Sequence, residues 1–518
     1  MSNAGQNSES LLSALAKLDT GYRVHRKKGK PVLMEDAAPA SGKRPLGVLI
    51  LPANPERTLG SAAFREAYQV RYNLMAGGMA HGISSEELVL AMGRAGFLAV
   101  FGAAGLSLER IEQAIHALQT ALPRGPFGIN FIHTPGDPAD ESRRVALFLK
   151  RGVRIIEASA FFGVTPALVH YRAAGLQRGP DGGARIQNRI IAKVSRKEVA
   201  AQFLAPPPVA LINTLAQQGL ITPEQAALAR TVPMADDLTV EADSAGHTDK
   251  AAWICLLPAM IQLRDRAQAG HRFAAPVRIG SAGGIGTPAA VSAAFFLGAD
   301  YVVTGSINQA ALEAGTSTVV KQLLAKAEPA DVTMAPAADM FELGVQVQVL
   351  KRGTFFPARA RKLYEWYRNH ASYDAIPKAQ RDEIESKFFR ASAGEIWSQV
   401  RDYFAANGPE MLVKAQGDPK FKMALLFRWY LGQSSFWAIR GDSARAEDYQ
   451  VWCGPAMGAF NEWVRGTSLE SPAGRRIVDI SLLLLQGAAF ANRCGALASA
   501  GFCLPAQIPA WRPPEPAG

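Results

Sequence analysis

Residues 276–310 read PVRIGSAGGIGTPAAVSAAFFLGADYVVTGSINQA. Two apolar runs, VRIGSA and DYVVTGS, bracket a glycine turn and a helical pattern. Thr287-Pro288 places a cap residue before a proline at the first helical position. Gly298 sits where that helix should stop. The stretch is one strand–helix–strand unit of a parallel sheet.

Working outward, the unit repeats. Six strand-like runs precede it: YQVRYNLMA, FLAVFGA, PFGINFI, RIIEASAF, RIIAKVS and LTVEADS. They are apolar throughout rather than alternating, as expected when both faces of a sheet are covered. Helical patterns lie between them. Ile111, Ala114, Ile115, Leu118 and Leu122 share one face, and Pro123 ends that helix. Ser84 with Glu87, and Ser195 with Glu198, have capping-box spacing. Thr165-Pro166 opens another helix. Residues 205–235 are longer than a minimal connection and should add helices. Eight strand–helix units over roughly 260 residues match a TIM (β/α)8 barrel, typically about 250 residues long. The rival is a doubly wound open sheet, but no G-x-G-x-x-G follows the first strand.

The flanks read differently. Residues 1–44 are polar, with a basic cluster from Arg23 to Lys30, and suggest a loosely packed N-terminal arm or a small lead-in element. The barrel should occupy 45–340. Residues 341–505 read as an appended helical domain without strands. Its helices fall in 351–370, 380–408, 421–439 and 475–494, the first three rich in aromatics. Residues 506–518 are a proline-rich tail.

The bulk numbers agree with two or three folded domains. The chain has 518 residues, 48% hydrophobic and 19% charged, which excludes a disordered chain. A net charge of +11 favours an anionic partner. No block of like charge is long enough for a nucleic-acid tail, so no nucleic acid is expected. The four cysteines form no C-x-x-C pair and no zinc-finger spacing. No metal and no disulfide framework are expected, and a reducing cytoplasm is the simpler home. The N-terminus lacks the pattern of a secretory signal. ISLLLLQGAAFA, interrupted by Gln486, is too short to span a membrane and reads as a buried helix.

Barrel enzymes place their chemistry at the carboxyl ends of the strands, often with phosphate after strands seven and eight. Those turns hold Ser281, Gly283 and Gly284, then Thr304, Gly305 and Ser306. Exposed backbone N–H groups beside a helix start make an anion site. Small residues after the first strand, in Met75, Ala76, Gly77 and Gly78, let a flat ring lie on the backbone. The other strand ends carry Asn130, Glu157, Ser159, Lys193, Asp243 and His247. A lysine inside the apolar IIAKVS is costly to bury unless it is paired or faces a polar site. Near a flat ring, Lys193 could stabilise negative charge. Phosphate, ring and cation together suggest FMN. His247 has the titration range of a general acid or hydrogen-bond donor near neutral pH.

Six blocks carry a resemblance: residues 74–115, GINFIH, RIIAKVSR, EADSAGHTD, RIGSAGGIGTPAA and GADYVVTGSINQA. Together they resemble the PfaD family, the trans-acting enoyl reductases of polyunsaturated fatty acid synthases and trans-acyltransferase polyketide synthases. The barrel is also similar to the wider nitronate monooxygenase-like flavin family. DMFELGVQVQVLKRGTFFPARARKLYEWY and DYQVWCGPAMGAFNEWVRGTSLE are similar to PfaD more narrowly. The resemblance spans roughly residues 45–495. It implies FMN on Met75 to Gly78, Asn130 and Lys193, with Ser281, Thr304 and Gly246 also in the cofactor set. It implies phosphate on Gly283, Gly284, Gly305 and Ser306, and His247 and Lys193 as the catalytic pair. Ala245 stands where a second glycine is expected before Gly246.

The resemblance further implies NADPH or NADH as reductant and an enoyl thioester carried by an acyl carrier protein as substrate. The basic segment 351–368 is a candidate flank of the carrier docking surface. Two alternatives stay open: a nitronate monooxygenase-type FMN oxidase, and a non-catalytic carrier-binding scaffold. The sequence leaves the pathway, the chain length and the choice between monomer and homodimer open.

Overall fold

The computed structural model describes residues 8–27, 30–35, 49–123, 125–502, 504 and 511–515. Parts of the expected arm, including Lys28, and most of the proline-rich tail lie outside the described residues, as does Cys503.

Eight parallel strands close into a barrel. They are β1 (Leu74–Ala76), β2 (Leu98–Phe101), β3 (Gly128–Ile132), β4 (Ile155–Ser159), β5 (Arg189–Val194), β6 (Asp237–Glu241), β7 (Arg278–Ala282) and β8 (Tyr301–Thr304). Seven fall within the apolar runs, and β6 begins one residue before its run, at Asp237. The order around the barrel is the chain order, and β8 closes on β1 with Val302 opposite Leu74 and Thr304 opposite Ala76.

The first run is shorter as a strand than its sequence suggests. Its start belongs to the helix Ala62–Tyr68, which ends at Gln69 in the left-handed region. That helix closes the amino end of the barrel. Phe64 stacks on Tyr301 at 4.3 Å. The Tyr68 hydroxyl donates to Asp237, and the Arg278 guanidinium forks onto the same carboxylate at 2.6 and 2.7 Å. A tyrosine can look like strand and still serve as a plug, because both uses bury it.

Seven strands are followed by α-helices in order: Glu86–Arg94, Leu108–Ala121, Pro138–Lys150, Pro166–Ala174, Lys197–Phe203, Trp253–His271 and Pro288–Phe296. Val209–Gln217 and Pro223–Ala229 fill the long 205–235 connection. Thr165 and Thr287 cap their helices as expected. The expected capping box at Ser84 does not form. Ser85 caps the helix, accepting from Leu88 N–H. Ser195 does not cap either; Arg196 holds that position.

β8 is followed directly by the short 3-10 turn Ser306–Ala310, and the next helix, Thr318–Ala325, belongs to the second compact unit. The eighth helical place is filled from far along the chain, by Ile477–Ser499. It packs on Pro288–Phe296 and on Glu86–Arg94, the helices after β7 and β1. This corrects its assignment to the appended domain. Its apolarity follows from that role: Leu484, Leu485, Ala488 and Ala489 are fully buried. It is the one described helix long and apolar enough to cross a membrane, and most of its apolar window is buried here. Arg493 on this helix donates to the carbonyls of Leu15, Lys17, Leu18, Thr20 and Pro52. The N-terminal helix Ser8–Ala16 and the hairpin Tyr22–Lys27/Lys30–Glu35 are therefore structured, a small lead-in element rather than a loose arm.

The chain forms two compact units that cut across the expected boundaries. The first holds residues 1–242, 251–314 and 462–518; the second holds 243–250 and 315–461. The second unit is not purely helical. Gln346–Leu350 pairs antiparallel with Val332–Pro336 on one side and Gly246–His247 on the other. Around that sheet lie helices including Phe356–Asn369 and Pro419–Arg440. Buried Asp448 accepts from Arg359, Arg390, Arg445 and Tyr430.

Candidate active site

Three adjacent strands of the first unit deliver a charged cluster to the carboxyl end of the barrel. Glu157 ends on β4, Lys193 on β5 and Glu241 on β6. The Lys193 Nζ lies 3.0 Å from a Glu241 carboxylate oxygen. Burial opposes the Lys193 charge, but Glu241 and Glu157 outweigh it and hold the ammonium above its usual range. Glu157 is fully buried. Burial raises its carboxyl, against the opposing pull of Lys193 and the Gly78 N–H. One ammonium thus serves two carboxylates, and a buried charge needs such a partner.

Glu157 also shapes the turn after β1. Its Oε2 accepts from Gly78 N–H at 2.9 Å and from Asn130 Nδ2 at 3.2 Å. Asn130 donates to Ser159 Oγ as well, at 3.0 Å. A Cβ on Gly78 would lie 2.8 Å from Asn130 Cβ and from that same Glu157 oxygen. Only glycine fits. Ser84, freed from capping, donates to Gly77 O at 2.9 Å and accepts from Met79 N–H at 3.0 Å. Met75 and Ala76 are fully buried in β1.

The turns after β7 and β8 lie on adjoining strands. Gly283 and Gly284 both have φ of +80°, a region that side chains rarely adopt. Ser281 is buried, and its Oγ has no hydrogen-bond partner among the described residues. The Thr304 carbonyl accepts from Gly77 N–H and from Asn308 Nδ2, each at 3.0 Å, which ties the β8 turn to the β1 turn. A Cβ added to Gly305 would meet nothing within 4 Å, so open space lies beside that backbone. Ser306 opens the short turn behind it.

The second unit carries His247. It sits on the short strand Gly246–His247, opposite Val347, with Gly246 at φ +73°. Its Nε2 lies 3.3 Å from Asp339 Oδ1. Burial raises the Asp339 carboxyl, but His247 outweighs that and holds it below its usual range. Buried Gln348 donates to Asp243 Oδ1 at 2.7 Å and to Ser244 O at 2.9 Å, which fixes the segment leading to His247.

Sequence reasoning singled out Glu157, Lys193, Asp243 and His247 but missed three partners that hold them. Glu241 lies within the strand-like run LTVEADS, where a single acid near a strand end carries no signal of its own. Asp339 and Gln348 lie 92 and 105 residues from the groups they hold, and no local pattern marks them.

Fold and strand-end cluster define a (β/α)8 barrel with polar chemistry at its carboxyl mouth. The chain matches the family Nitronate monooxygenase over residues 62–360, and over 370–449 it matches the inserted helical domain of [Acyl-carrier-protein] S-malonyltransferase. It is 44% identical over 498 residues to a component of the polyunsaturated fatty acid synthase of Thraustochytrium sp., covering 95% of this chain and 33% of that protein. It is 47% identical over 429 residues to polyketide biosynthesis protein PksE of Bacillus subtilis, covering 83% and 56%. Among solved structures it superposes on the enoyl reductase domain of MlnA from the macrolactin cluster of Bacillus amyloliquefaciens. The TM-score is 0.82 at 39% identity, with 86% of this chain and all of that chain covered. The chain belongs to the nitronate monooxygenase family, in its PfaD-like group. It spans only about a third to a half of the length of these two curated relatives.

Proposed function

We propose that the chain is an FMN-dependent enoyl reductase acting on a 2-enoyl thioester. The observation that carries this reading is the match to the whole MlnA enoyl reductase domain.

The residues present fit FMN. Ser281 offers a buried hydroxyl in need of a partner, Gly283 and Gly284 take the positive φ of a tight turn, and open space lies beside Gly305. With Thr304 and Ser306 these would hold the phosphate. Met75 to Gly78 would floor the ring, with Asn130 at its edge. FMN held there would supply two-electron chemistry between NADPH or NADH and the β carbon of the enoyl group.

Lys193 presents a cation held charged by Glu241 and Glu157, preorganised for developing negative charge. His247 is the proton source for the α carbon or the hydrogen-bond donor to the thioester carbonyl. Asp339 lies 3.3 Å from its Nε2 and orients the ring. An acyl carrier protein presents the substrate. The +11 charge, the synthase relatives and the helical match over 370–449 support that partner.

The docking flank expected at 351–368 has four of its basic side chains engaged by neighbouring groups. Arg352 pairs with Asp331, Arg359 with Glu447 and Asp448, and Lys362 with Glu383, while Arg361 bonds Met334 O. Those charges are used within the second unit.

The test is an anaerobic flavin spectrum. NADPH should bleach the bound flavin, and a crotonyl thioester should restore its colour. Flavin that NADPH leaves oxidised, in a protein that turns over nitronates in air, would replace this reading with the oxidase.

A further inference from the structure

We propose that a crevice at the amino-terminal end of the barrel binds a small phosphorylated organic anion, apart from the strand-end cluster. The crevice has a volume of about 720 Å³. Ligand pockets run from about 300 to 1,000 Å³. Its polar wall is formed by Arg154, Arg185, Arg189 and Arg278, and Asp236 is the one acid that lines it. These residues precede or begin β4, β5, β6 and β7. They therefore lie at the strand ends opposite Glu157, Lys193 and Glu241.

The charges do not cancel. Asp236 is already committed. Its Oδ2 accepts from buried Arg172 at 2.7 Å and from Ile190 N–H at 2.9 Å, and its Oδ1 is 3.5 Å from Arg189. Arg278 is neutralised by its fork onto Asp237. Arg154 bonds the neutral Asn188 amide at 3.0 Å. Arg185, on the hairpin Leu176–Arg178/Ala184–Ile186, makes no ion pair among the described residues. Arg154 and Arg185 are exposed and Arg189 is half-buried. Stability needs Arg172 and Arg278. It does not need Arg154 and Arg185 aimed at the same space.

Like charges that face one crevice repel, and an anion between them reverses the sign of that energy. Guanidinium forks match phosphate oxygens in pairs. Apart from Gln187 and Thr231 the remaining wall is apolar, and it includes Val232, Phe273 and Val277. That wall suits an organic body on the phosphate. Nucleotide and free polyphosphate share the charged end, and the apolar wall favours the nucleotide.

The experiment is isothermal titration calorimetry on the full chain saturated with FMN. ADP and inorganic pyrophosphate are titrated at low salt, into wild type, Arg185→Glu and Arg154→Gln. Saturable ADP binding is expected, weakened about tenfold or more in Arg185→Glu and less in Arg154→Gln. Tighter binding of ADP than of pyrophosphate supports the nucleotide. Equal binding overturns the organic ligand, because the apolar wall then adds nothing to the phosphate contacts. No saturable binding of either by wild type overturns the proposal, and so does equal binding by wild type and both variants. Thermal unfolding of each variant confirms that it is folded. The proposal does not rest on enoyl reduction, which the spectral test addresses separately.

Discussion

Replacing Lys193 by Met tests whether one ammonium neutralises the strand-end cluster. The substitution keeps the length and apolar character of the stem and removes only the charge. Glu157 is then left fully buried, and Glu241 mostly so, without their shared cation. Removing one partner of a buried pair costs about 3–5 kcal/mol. Lys193 and Glu241 keep 14% and 19% side-chain exposure, which argues for the lower part of that range. A loss of about 3 kcal/mol is a factor of about 150 in the folding equilibrium.

The loss must depend on pH. Burial already raises the Glu157 carboxyl, and Lys193 opposes that rise. Without Lys193 the folded carboxyl rises further above its unfolded value of about 4.3. A raised carboxyl favours the folded state below the unfolded pKa, and that contribution fades as pH climbs through the folded pKa. The penalty of Lys193→Met should therefore be small near pH 4.5 and large at pH 8. Urea unfolding of wild type and variant, followed by circular dichroism at both pH values, reads the difference. Adding Glu157→Gln to Lys193→Met should recover part of it. A penalty under about 0.5 kcal/mol at pH 8, or one equal at both pH values, would refute the reasoning.

Other outcomes follow from the same geometry. Gly78→Ala forces a Cβ to 2.8 Å from Asn130 and Glu157, and should cut bound flavin per chain at least tenfold, read by absorbance after desalting. Gln348→Ala releases the segment at Asp243 and Ser244. Turnover of a crotonyl thioester should fall about tenfold with flavin content unchanged, since about 1–2 kcal/mol of hydrogen bonding is lost there. Asp448→Asn leaves Arg359, Arg390 and Arg445 around a neutral side chain and should destabilise the second unit by about 3 kcal/mol. Limited proteolysis should then cut within residues 315–461 before the barrel.

The barrel was legible because its determinants are local. Each β strand is a short apolar run between turn residues, and burial of both faces produces that run wherever the strand sits. The glycines at 78, 283 and 284 were legible for a related reason: close approach or positive φ excludes other residues at the position itself. Lys193 stood out because a charge in an apolar strand is expensive. Other features depend on partners that chain order does not announce. The run Gln346–Leu350 was hidden in a helical stretch because its pairing partners lie in segments before it. Asp339 and Gln348 gained their roles only when that sheet formed.

The amino acids alone settled the eight-strand barrel, the turns at its seventh and eighth strands, and the burial of the apolar segment near residue 480. Only the tertiary structure decided that this segment is the barrel's eighth helix. A helix buried by any neighbours shows the same apolar face, so its composition cannot say which ones. The crevice of arginines is the same case. Arg154, Arg185, Arg189 and Arg278 are scattered along the chain, and only closure of the barrel brings the amino ends of β4, β5 and β7 around one space.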